Sequence, residues 1–497
     1  MNIPKLAEGS PVEIAARVML DISRGEFAPS WDPLMPMSPI GSPDIMPVAE
    51  RERGRSILWD VASETFYRFS DGRWRPVEFS LIERLIGRYD AMDYGTAKAQ
   101  FRMNATIAKG VHYWLKTYCT DPEFFAQELG TYAVNDQTAR MGIGIGVFDS
   151  QPEYACRSGI DGEILDPSPL LAAIDAVICP VAHLDLAPVY RTIFLEWLGL
   201  CLTGCATDWG RGLILLGTHG PMGGGGNNGK SELQKTISSM FSPETRLSMI
   251  GGLDMKQDYQ KERLRGKRLL SIGEMDSGKL DIKRMNALVT GGEDEGRRLG
   301  QMGTVMDLIC GVVWDCNRLP TLQSDGLGGV KRRWGIIPCY NDMRASSTTK
   351  ADIDGMRETL LPGLAIAALQ AAHEVYSRGG LTPMPQLSTD ILRLWLRDAN
   401  PVDIWRDECL LYSDRAFVET VEAWERYREW VDSGKFRCPL TRRQWIEHVY
   451  GNLPDPRMRR GHDGATRRAG IHNAIVTSGD IGAPPEGKLL PFLKANP

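Results

Sequence analysis

Hydrophobic positions recur along this chain with different periods, and each change of period predicts a change of structure. In residues 56–77, aromatic and polar residues alternate on either side of the Asp71-Gly72 turn, which predicts a small antiparallel sheet. An exposed aromatic platform for nucleic acid is the alternative there. From 78 to 140 the apolar residues recur every three to four positions and predict mainly helix. Residues 141–180 are interrupted by glycine and proline, which predicts irregular structure.

The rest of the chain alternates short apolar runs with longer amphipathic segments. Three runs have the length and composition of buried parallel strands: Leu213–Leu216, Leu269–Ile272 and Leu308–Trp314. Helical spacing marks residues 188–205, 352–378 and two segments within 386–434. Strands that alternate with helices predict an α/β fold with a parallel sheet at its centre.

A glycine-dense loop follows the first of these strands and matches the P-loop pattern G-x-x-x-x-G-K-[ST]. Gly224, Gly229, Lys230 and Ser231 hold the fixed positions of that pattern. Glycines let main-chain N–H groups surround phosphate oxygens, and the positive end of the following helix faces the same anion. Lys230 is expected to reach the β- and γ-phosphates, with the Ser231 hydroxyl on Mg²⁺. A flexible surface loop is the alternative, which the strand before it and the helix after it disfavour.

Composition and charge limit what else the chain does. The net charge is −5, so any nucleic-acid partner has to be held by local basic patches. The 10 cysteines form no C-x-x-C pair, and the 7 histidines complete no zinc pattern, so reduced core thiols are expected. No run of about eighteen apolar residues and no signal-like amino terminus occurs. An intracellular, cytoplasmic protein without a membrane partner is expected.

Glu274 lies at the carboxyl end of the predicted strand Leu269–Ile272, the end of an open α/β sheet where ligands bind. A carboxylate at that position can hold Mg²⁺ through water and polarise the attacking water. The alternative is a solvated acid in a loop. The common pattern has two adjacent acids, whereas here Gly273 stands in the first position and Asp276 is a candidate to compensate.

Two further polar positions lie near the ends of later strands. Asn317 follows the third predicted strand and is placed to hydrogen-bond the γ-phosphate and the attacking water, with a local Asn–turn–Pro cap as the alternative. Lys331, Arg332 and Arg333 form a basic triplet before a further strand. Such a triplet is either a solvated face or a source of an arginine finger for the nucleotide of a neighbouring subunit.

Taken in order, four elements resemble the superfamily 3 helicases, and among them the poxvirus- and phage-type primase-helicases. The elements are the P-loop, the strand that ends at Glu274, T-G-G-E-x-x-x-x-R, and the strand before Asn317 with the following R-R-x-x-x-I-P. The resemblance covers residues 185–345. It implies an AAA+-like core that assembles as a ring, expected to be a hexamer, and hydrolyses ATP to move along single-stranded DNA.

The resemblance also implies roles for individual residues. Glu274 corresponds to the Walker B acid and Asn317 to the polar sensor, while Arg333, or Arg332 in competition with it, corresponds to the arginine finger. Arg298 is the arginine after T-G-G-E, and the turn with Gln301 and Met302 falls where the family has a hairpin that touches DNA. The complete set of predicted nucleotide contacts is Gly224, Gly226, Asn228, Gly229, Lys230 and Ser231, with ATP and Mg²⁺ as ligands and Ser231 and Glu274 on the metal side.

The carboxyl-terminal part carries a basic tract that few acids oppose. Two helical segments and the turn R-M-R-R-G-H-D-G follow one another there, which resembles a winged helix. The predicted phosphate-gripping residues are Arg459, Arg460, Arg467 and Arg468. An ordinary helical domain with a solvated basic face is the alternative.

These patterns divide the chain into five predicted regions. They are an arm or linker (1–50), an α+β and helical lead-in domain (51–205), the ATPase core (206–345), a helical lid (346–385) and the winged-helix-like domain (386–497).

We predict an ATP-dependent DNA helicase of phage or mobile-element replication, acting on single-stranded or forked DNA. It lacks an evident primase cluster, so any primase is a separate partner. The alternatives are a replication initiator or loader that does not unwind processively, and a small-molecule P-loop kinase.

Overall fold

The computed structural model describes most of the chain between residues 57 and 476. The described residues are 11, 14, 15, 18, 57–61, 63–70, 72–87, 104–121, 124–125, 129–141, 146–151, 154–217, 227–250, 258–274, 279–280, 282–297, 303–322, 329–343, 349–399, 402, 405–406, 409–433, 441–451, 453–463 and 468–476. Two compact units are present. The first contains 1–276, 284–318 and 332–385, and the second contains 277–283, 319–331 and 386–497. The five predicted regions stay a prediction.

The first unit begins with the antiparallel sheet that the alternating pattern predicts. Its strands are β1 (Ile57–Asp60), β2 (Thr65–Ser70) and β3 (Arg73–Val77), and the helices α1 (Phe79–Gly87) and α2 (Ala105–Cys119) follow. Phe66, Tyr67 and Trp74 are buried. These aromatic side chains therefore belong to the core, and the alternative of an exposed aromatic platform is wrong for them.

Residues 129–178 differ from the prediction of helix followed by irregular structure. They form β4 (Thr131–Val134), β5 (Gln137–Arg140), β6 (Gly146–Asp149), β7 (Gly159–Ile160) and the helix α3 (Ser168–Ile178), with the sheet order β6-β5-β4-β7. The turn between β4 and β5 contains Asn135 at φ 54°, and asparagine tolerates this left-handed conformation. Strands of four residues give too short a periodic signal to be recognised in sequence.

The helix α4 (Ala187–Thr203) leads into the central sheet, after a 3-10 turn at Val181–Leu186 and before the short helix α5 (Ala206–Trp209). Nearly every residue of its second half is buried, which is typical of a helix that is apolar on all sides. It confirms the predicted helix at 188–205.

The central sheet is parallel and has five strands. Its part of the chain contains β8 (Gly212–Gly217), α6 (Lys230–Ser239), β9 (Arg246–Ile250), α7 (Asp258–Glu262), β10 (Leu269–Gly273), β11 (Lys279–Leu280), α8 (Ile282–Thr290), β12 (Gly292–Gly296), β13 (Thr304–Leu308), β14 (Gly311–Cys316), β15 (Thr321–Leu322), α9 (Val330–Arg333) and β16 (Trp334–Cys339). The order β16-β8-β14-β10-β9 places β14 between β8 and β10. The strands β8, β14 and β16 are buried throughout, as parallel strands covered on both faces are.

The third predicted strand was only partly right. The run Leu308–Trp314 is divided between β13, which pairs antiparallel with β12, and β14, which joins the central sheet. The break falls just before Gly311, whose N–H donates to the carbonyl oxygen of Arg268. A continuous run of apolar residues does not show where one strand ends and the next strand, which pairs with a different neighbour, begins.

The long helix α10 (Lys350–Arg378) completes the first unit and begins with a capping box between Thr349 and Asp352. Arg357 on this helix forms an ion pair with Glu232 of α6 (2.9 Å between Nη2 and Oε2). Tyr376, near its other end, donates to Asp208. The predicted helix is confirmed, while its role as a lid stays a prediction.

Besides residues 277–283 and 319–331, the second unit contains α11 (Gln386–Ala399), β17 (Leu410–Glu419), α12 (Thr420–Ser433), α13 (Arg442–Gly451), β18 (Arg459–His462) and β19 (Ala469–Val476). The last three strands form an antiparallel sheet in the order β17-β19-β18. Its core gathers aromatic side chains, including Trp405, Tyr427 and Trp445. The predicted turn at 457–464 was wrong in part, because its centre is the strand β18.

Two sequence expectations can be compared with the described part of the chain. Every cysteine there is buried and outside any disulfide, as expected of core thiols. Among the helices of the same residues, none combines the length and the apolarity needed to cross a membrane.

Candidate functional site

The carboxyl edge of the central sheet brings together residues that are far apart in sequence. The strand β8 ends at Gly217, β10 is followed by Glu274, and β14 is followed by Asn317. Lys230 is the first residue of α6, which comes after the glycine-rich loop. Carboxyl ends of parallel strands share one edge of the sheet, so these polar groups lie at one place.

Lys230 is the centre of this site. Only 7% of the residue is exposed, and its ammonium group donates to Asn317 Oδ1 at 2.8 Å and to Asn228 Oδ1 at 3.5 Å. Among the residues that the structure describes, no carboxylate lies within ion-pair distance of this ammonium group. A cation held by neutral amides keeps its charge available, so the position suits an anionic ligand.

Two glycines make this arrangement sterically feasible. A side chain on Gly217 would overlap Lys230 Nζ and Asn317 Oδ1. Gly229 has φ +77° and lies so close to Val177 that a Cβ atom would collide with it. Both positions therefore need glycine, the first for the close approach of two side chains and the second also for its left-handed backbone.

The residues before α6 are anchored by the segment after β16. The N–H of Met343 donates to the carbonyl oxygen of Asn227 at 2.8 Å, and the Asn228 amide donates to the carbonyl oxygen of Asn341 at 3.1 Å. Asn341 in turn donates to two carbonyl oxygens at the end of α3. Asn341 was not among the predicted site residues, and no motif in the sequence distinguishes it.

Glu274 occupies a constrained position beyond β10. Its φ is 51°, a left-handed conformation that is uncommon for residues other than glycine, and its side chain is exposed. Its N–H donates to Asp315 Oδ1 on the neighbouring strand. The Gln234 amide ties α6 to the same strand by donating to the carbonyl oxygen of Ile272 at 3.1 Å. An unusual backbone fixed by its surroundings is a common property of functional positions.

Asp315 is a second residue that the sequence analysis missed. It is 3% exposed, and burial raises the pKa of its carboxyl group, while the Glu274 N–H and the charge of Lys230 act in the opposite direction. The charge of Glu274 adds to the upward shift of this pKa. The only signal in the sequence is an acid at the next-to-last position of an otherwise apolar strand.

The oxygen donors of this edge fit a magnesium nucleotide better than a metal bound by protein alone. Ser231 lies in the first turn of α6. The carboxylate of Glu274 follows β10, and that of Asp315 belongs to the next-to-last residue of β14. No cluster of three or more His, Cys, Asp or Glu side chains suited to a metal occurs in the described part of the chain. Mg²⁺ is commonly bound by one or two carboxylates together with phosphate oxygens and water.

Arg332 and Arg333 lie at the opposite edge of the sheet, the one where the parallel strands begin. They precede β16, whose first residue Trp334 pairs with Gly212 at the start of β8. The five residue steps of β8 span about 17 Å, so these arginines are remote from Lys230 of the same chain. Arg332 is exposed, and Arg333 is half-buried with an Nε atom that is buried and without a hydrogen-bond partner.

The predicted DNA contacts fall into groups with different surroundings. Arg459 and Arg460 are exposed on β18, and Arg460 lies over the ring of Tyr450 (5.0 Å to the ring centre). Arg468 is paired with Glu419 at 2.6 Å, which reduces its availability to a phosphate. Arg442, Arg460 and Arg468 line a surface cavity of about 570 Å³ next to Tyr450.

Several predicted positions lie outside the described residues. They are Gly224, Gly226, Asp276, Arg298, Gln301, Met302 and Arg467. The predicted DNA-touching turn nevertheless has described neighbours, because the strands β12 and β13 on either side of it form an antiparallel ribbon in which Gly296 pairs with Thr304.

The similarity of this chain to known proteins is weak. No family model and no curated protein matches the chain. Two solved structures of the NrS-1 C-terminal region, both described as A-form apo structures, are similar to it. One has 11% sequence identity and a TM-score of 0.42 and covers 76% of this chain and 77% of its own. The other has 13% identity and a TM-score of 0.38 and covers 80% of this chain and 79% of its own. At these scores the likeness assigns neither a fold nor a function.

Proposed function

We propose that the first unit binds ATP with Mg²⁺ at the carboxyl edge of its parallel sheet and hydrolyses it. The observation that carries this proposal is the partly buried contact between Lys230 and Asn317 next to Gly217. The strand order, with β14 between β8 and β10, supports an AAA+-like core because it brings the strand of Asn317 directly beside the strand that enters the P-loop.

The residues at this edge divide the work of phosphoryl transfer to water. The positive end of α6 and Lys230 stabilise the phosphates, and Asn317 positions the γ-phosphate and the attacking water. Glu274 accepts the proton of that water as it bonds to the γ-phosphorus, while the bond to the β-phosphate oxygen breaks and ADP leaves. Ser231 and Glu274 are the residues that would hold Mg²⁺, which would supply positive charge to the phosphate oxygens.

The position of the arginines supports shared sites between subunits. Arg332 and Arg333 lie at the edge of the sheet opposite to Lys230. An arginine at that edge can serve only the nucleotide of a neighbouring subunit. We therefore propose a homo-oligomeric ring, expected to be a hexamer, with Arg333 or Arg332 as the finger.

The second unit supports a role on DNA. Strand β17, helices α12 and α13, strand β18 and strand β19 follow one another, and the three strands form a sheet in the order β17-β19-β18. This order supports the winged-helix-like prediction, and the exposed Arg459 and Arg460 provide charge for phosphate contacts. Together the two units suit an ATP-dependent helicase that moves on single-stranded DNA during replication.

Unwinding of a forked DNA by the full-length protein tests this proposal. The expected result is strand displacement that requires hydrolysable ATP, Mg²⁺ and Lys230, with ATP turnover stimulated by single-stranded DNA. Turnover without displacement would favour the initiator or loader instead. ATP turnover that does not depend on DNA, with transfer of phosphate to a small molecule, would favour a kinase. Absence of nucleotide binding would reject the proposed site.

A further inference from the structure

Asp315 stands beside the glycine that replaces the usual first acid of β10. In the parallel register, Ile272 pairs with Trp314, so the next residues, Gly273 and Asp315, lie side by side. Paired residues of neighbouring parallel strands project from the same face of the sheet. A side chain at Gly273 would meet Gln234 of α6, at 3.5 Å from its Oε1 atom. Asp315 therefore projects from the face that α6 covers.

The surroundings of Asp315 connect it with two central residues of the proposed site. Its Oδ1 accepts the N–H of Glu274, and the charges of Lys230 and Glu274 both act on its carboxyl group. It is nearly inaccessible to solvent, at 3% exposure. A buried carboxylate in such a place is costly unless a cation compensates it.

The hydrogen bond to Glu274 alone does not explain an acid at this position. Any acceptor, such as an amide or a hydroxyl oxygen, would hold the Glu274 N–H at a lower cost of burial. The negative charge is useful only if a positive charge lies close to it. Lys230 is one such charge, and Mg²⁺ on a nucleotide is another.

We propose that Asp315 supplies, from β14, the second carboxylate that β10 lacks at Gly273. As a positioning residue it fixes Glu274 through its main chain, and its charge strengthens the binding of Mg²⁺ through the water shell of the ion. This inference rests on the proposed function of the same site. In this proposal the two acids, Glu274 and Asp315, come from two adjacent strands instead of from two consecutive residues of one strand.

Three variants of the full-length protein test the inference. Asp315→Asn keeps an acceptor for the Glu274 N–H and removes the charge. Gly273→Asp restores the usual acid, and its Cβ atom would lie in ordinary contact with its nearest neighbours, at 3.5 and 3.8 Å. The third variant combines both changes. The measurements are the affinity for a fluorescent ATP analogue in EDTA and the Mg²⁺ concentration that gives half of the Mg²⁺-dependent gain in affinity.

We expect Asp315→Asn to raise that Mg²⁺ concentration about 10- to 100-fold, the usual effect of losing an outer-shell carboxylate. Its nucleotide affinity in EDTA should not fall more than about twofold below that of wild type, because an Asp315 carboxylate has no hydrogen-bond donor to offer the phosphates. The double variant should return most of the lost Mg²⁺ affinity. If Asp315→Asn does not fold, Asp315→Ser, which keeps a hydroxyl acceptor, is measured in its place.

Two results would overturn the inference. One is an unchanged Mg²⁺ titration in Asp315→Asn, which would reduce Asp315 to a structural acceptor for the Glu274 N–H. The other is a folded double variant that remains as defective as the single one. Failure of the proposed function itself looks different, because the wild-type protein would then bind no nucleotide with or without Mg²⁺.

Discussion

Lys230 Nζ donates a 2.8 Å hydrogen bond to Oδ1 of Asn317, a residue 87 positions further along the chain. The contact joins the start of the P-loop helix to the end of the adjacent β14 and lies against Gly217. The amide oxygens of Asn317 and Asn228 together satisfy this buried ammonium group. We infer that Lys230 and Asn317 would both contact the γ-phosphate of a bound ATP.

Replacing Lys230 with alanine should lower the turnover number for ATP by at least about 100-fold, because the developing charge on the phosphates loses its cation. Steady-state phosphate release measures this. Lys235→Ala is a matched control on the same helix, since Lys235 is exposed and paired with Glu232 at 2.8 Å. Similar losses in both variants, or retained turnover in Lys230→Ala, would contradict the P-loop assignment.

Asn317→Ala should separate binding from chemistry. Its amide is expected to orient water and γ-phosphate, so we expect turnover to fall about 100-fold while ATP affinity changes little. Single-turnover hydrolysis together with equilibrium binding distinguishes the two effects. If the variant binds ATP weakly but hydrolyses bound ATP normally, Asn317 serves only to hold Lys230.

Mixing variants tests the proposed arginine finger. Assemblies of Arg333→Ala with Lys230→Ala should recover part of the turnover that each lacks alone, because some interfaces then combine an intact finger with an intact P-loop. The same experiment with Arg332→Ala identifies which arginine is used, and Lys331→Ala is the neighbouring control. No recovery with either arginine would argue for a structural role.

The arginines of β18 are predicted to contact DNA phosphates. Replacing Arg459 and Arg460 with alanine should lower the salt dependence of DNA binding by about one unit in log–log slope per lost contact. Fluorescence anisotropy at several salt concentrations measures the slope. Arg457→Ala is the control, because Arg457 is already engaged by Asp455 at 2.6 Å. Equal slopes in all three proteins would reject this surface as the DNA contact.

Glu232 should make stability depend on pH. Burial alone would raise the pKa of this carboxyl group, but its bonds to Lys235 and Arg357 outweigh that effect and lower it below 4.5. A lowered folded-state pKa means that the stabilisation is complete above the unfolded value, near 4.5, and is lost as the pH falls through the folded value. Thermal unfolding of Glu232→Gln should therefore depend less on pH below 4.5 than wild type does. Parallel curves for the two proteins would contradict this.

The sequence contains enough information for the individual elements of the site. Leu213–Leu216 and Leu269–Ile272 were recognisable as strands because short apolar runs next to polar ends are typical of buried parallel strands. The positions of Glu274 and Asn317 just beyond their strands were sufficient to expect them at one edge of the sheet. Of these two residues, Asn317 contacts Lys230, and the sequence analysis did not predict that contact.

The partners across the sheet could not be obtained in this way. The role proposed for Asp315 depends on its position beside Gly273 of the neighbouring strand, and that position depends on which strands are neighbours. Strand order is a non-local property that no periodicity within one segment reports. The short strands β4 and β5 were missed for a related reason, since pairing with each other, rather than their own pattern, makes them strands.

The placement of Arg333 and Lys230 on opposite edges has a consequence for symmetry. If one subunit completes the pocket of another through these two edges, a two-fold dimer needs both edges within one shared surface, whereas a head-to-tail contact uses a different edge of each subunit. Head-to-tail contacts either close into a rotationally symmetric assembly or continue as an open helix. The angle between successive subunits would then set the number of subunits in a closed ring, and with it the number of ATP molecules that the ring can bind.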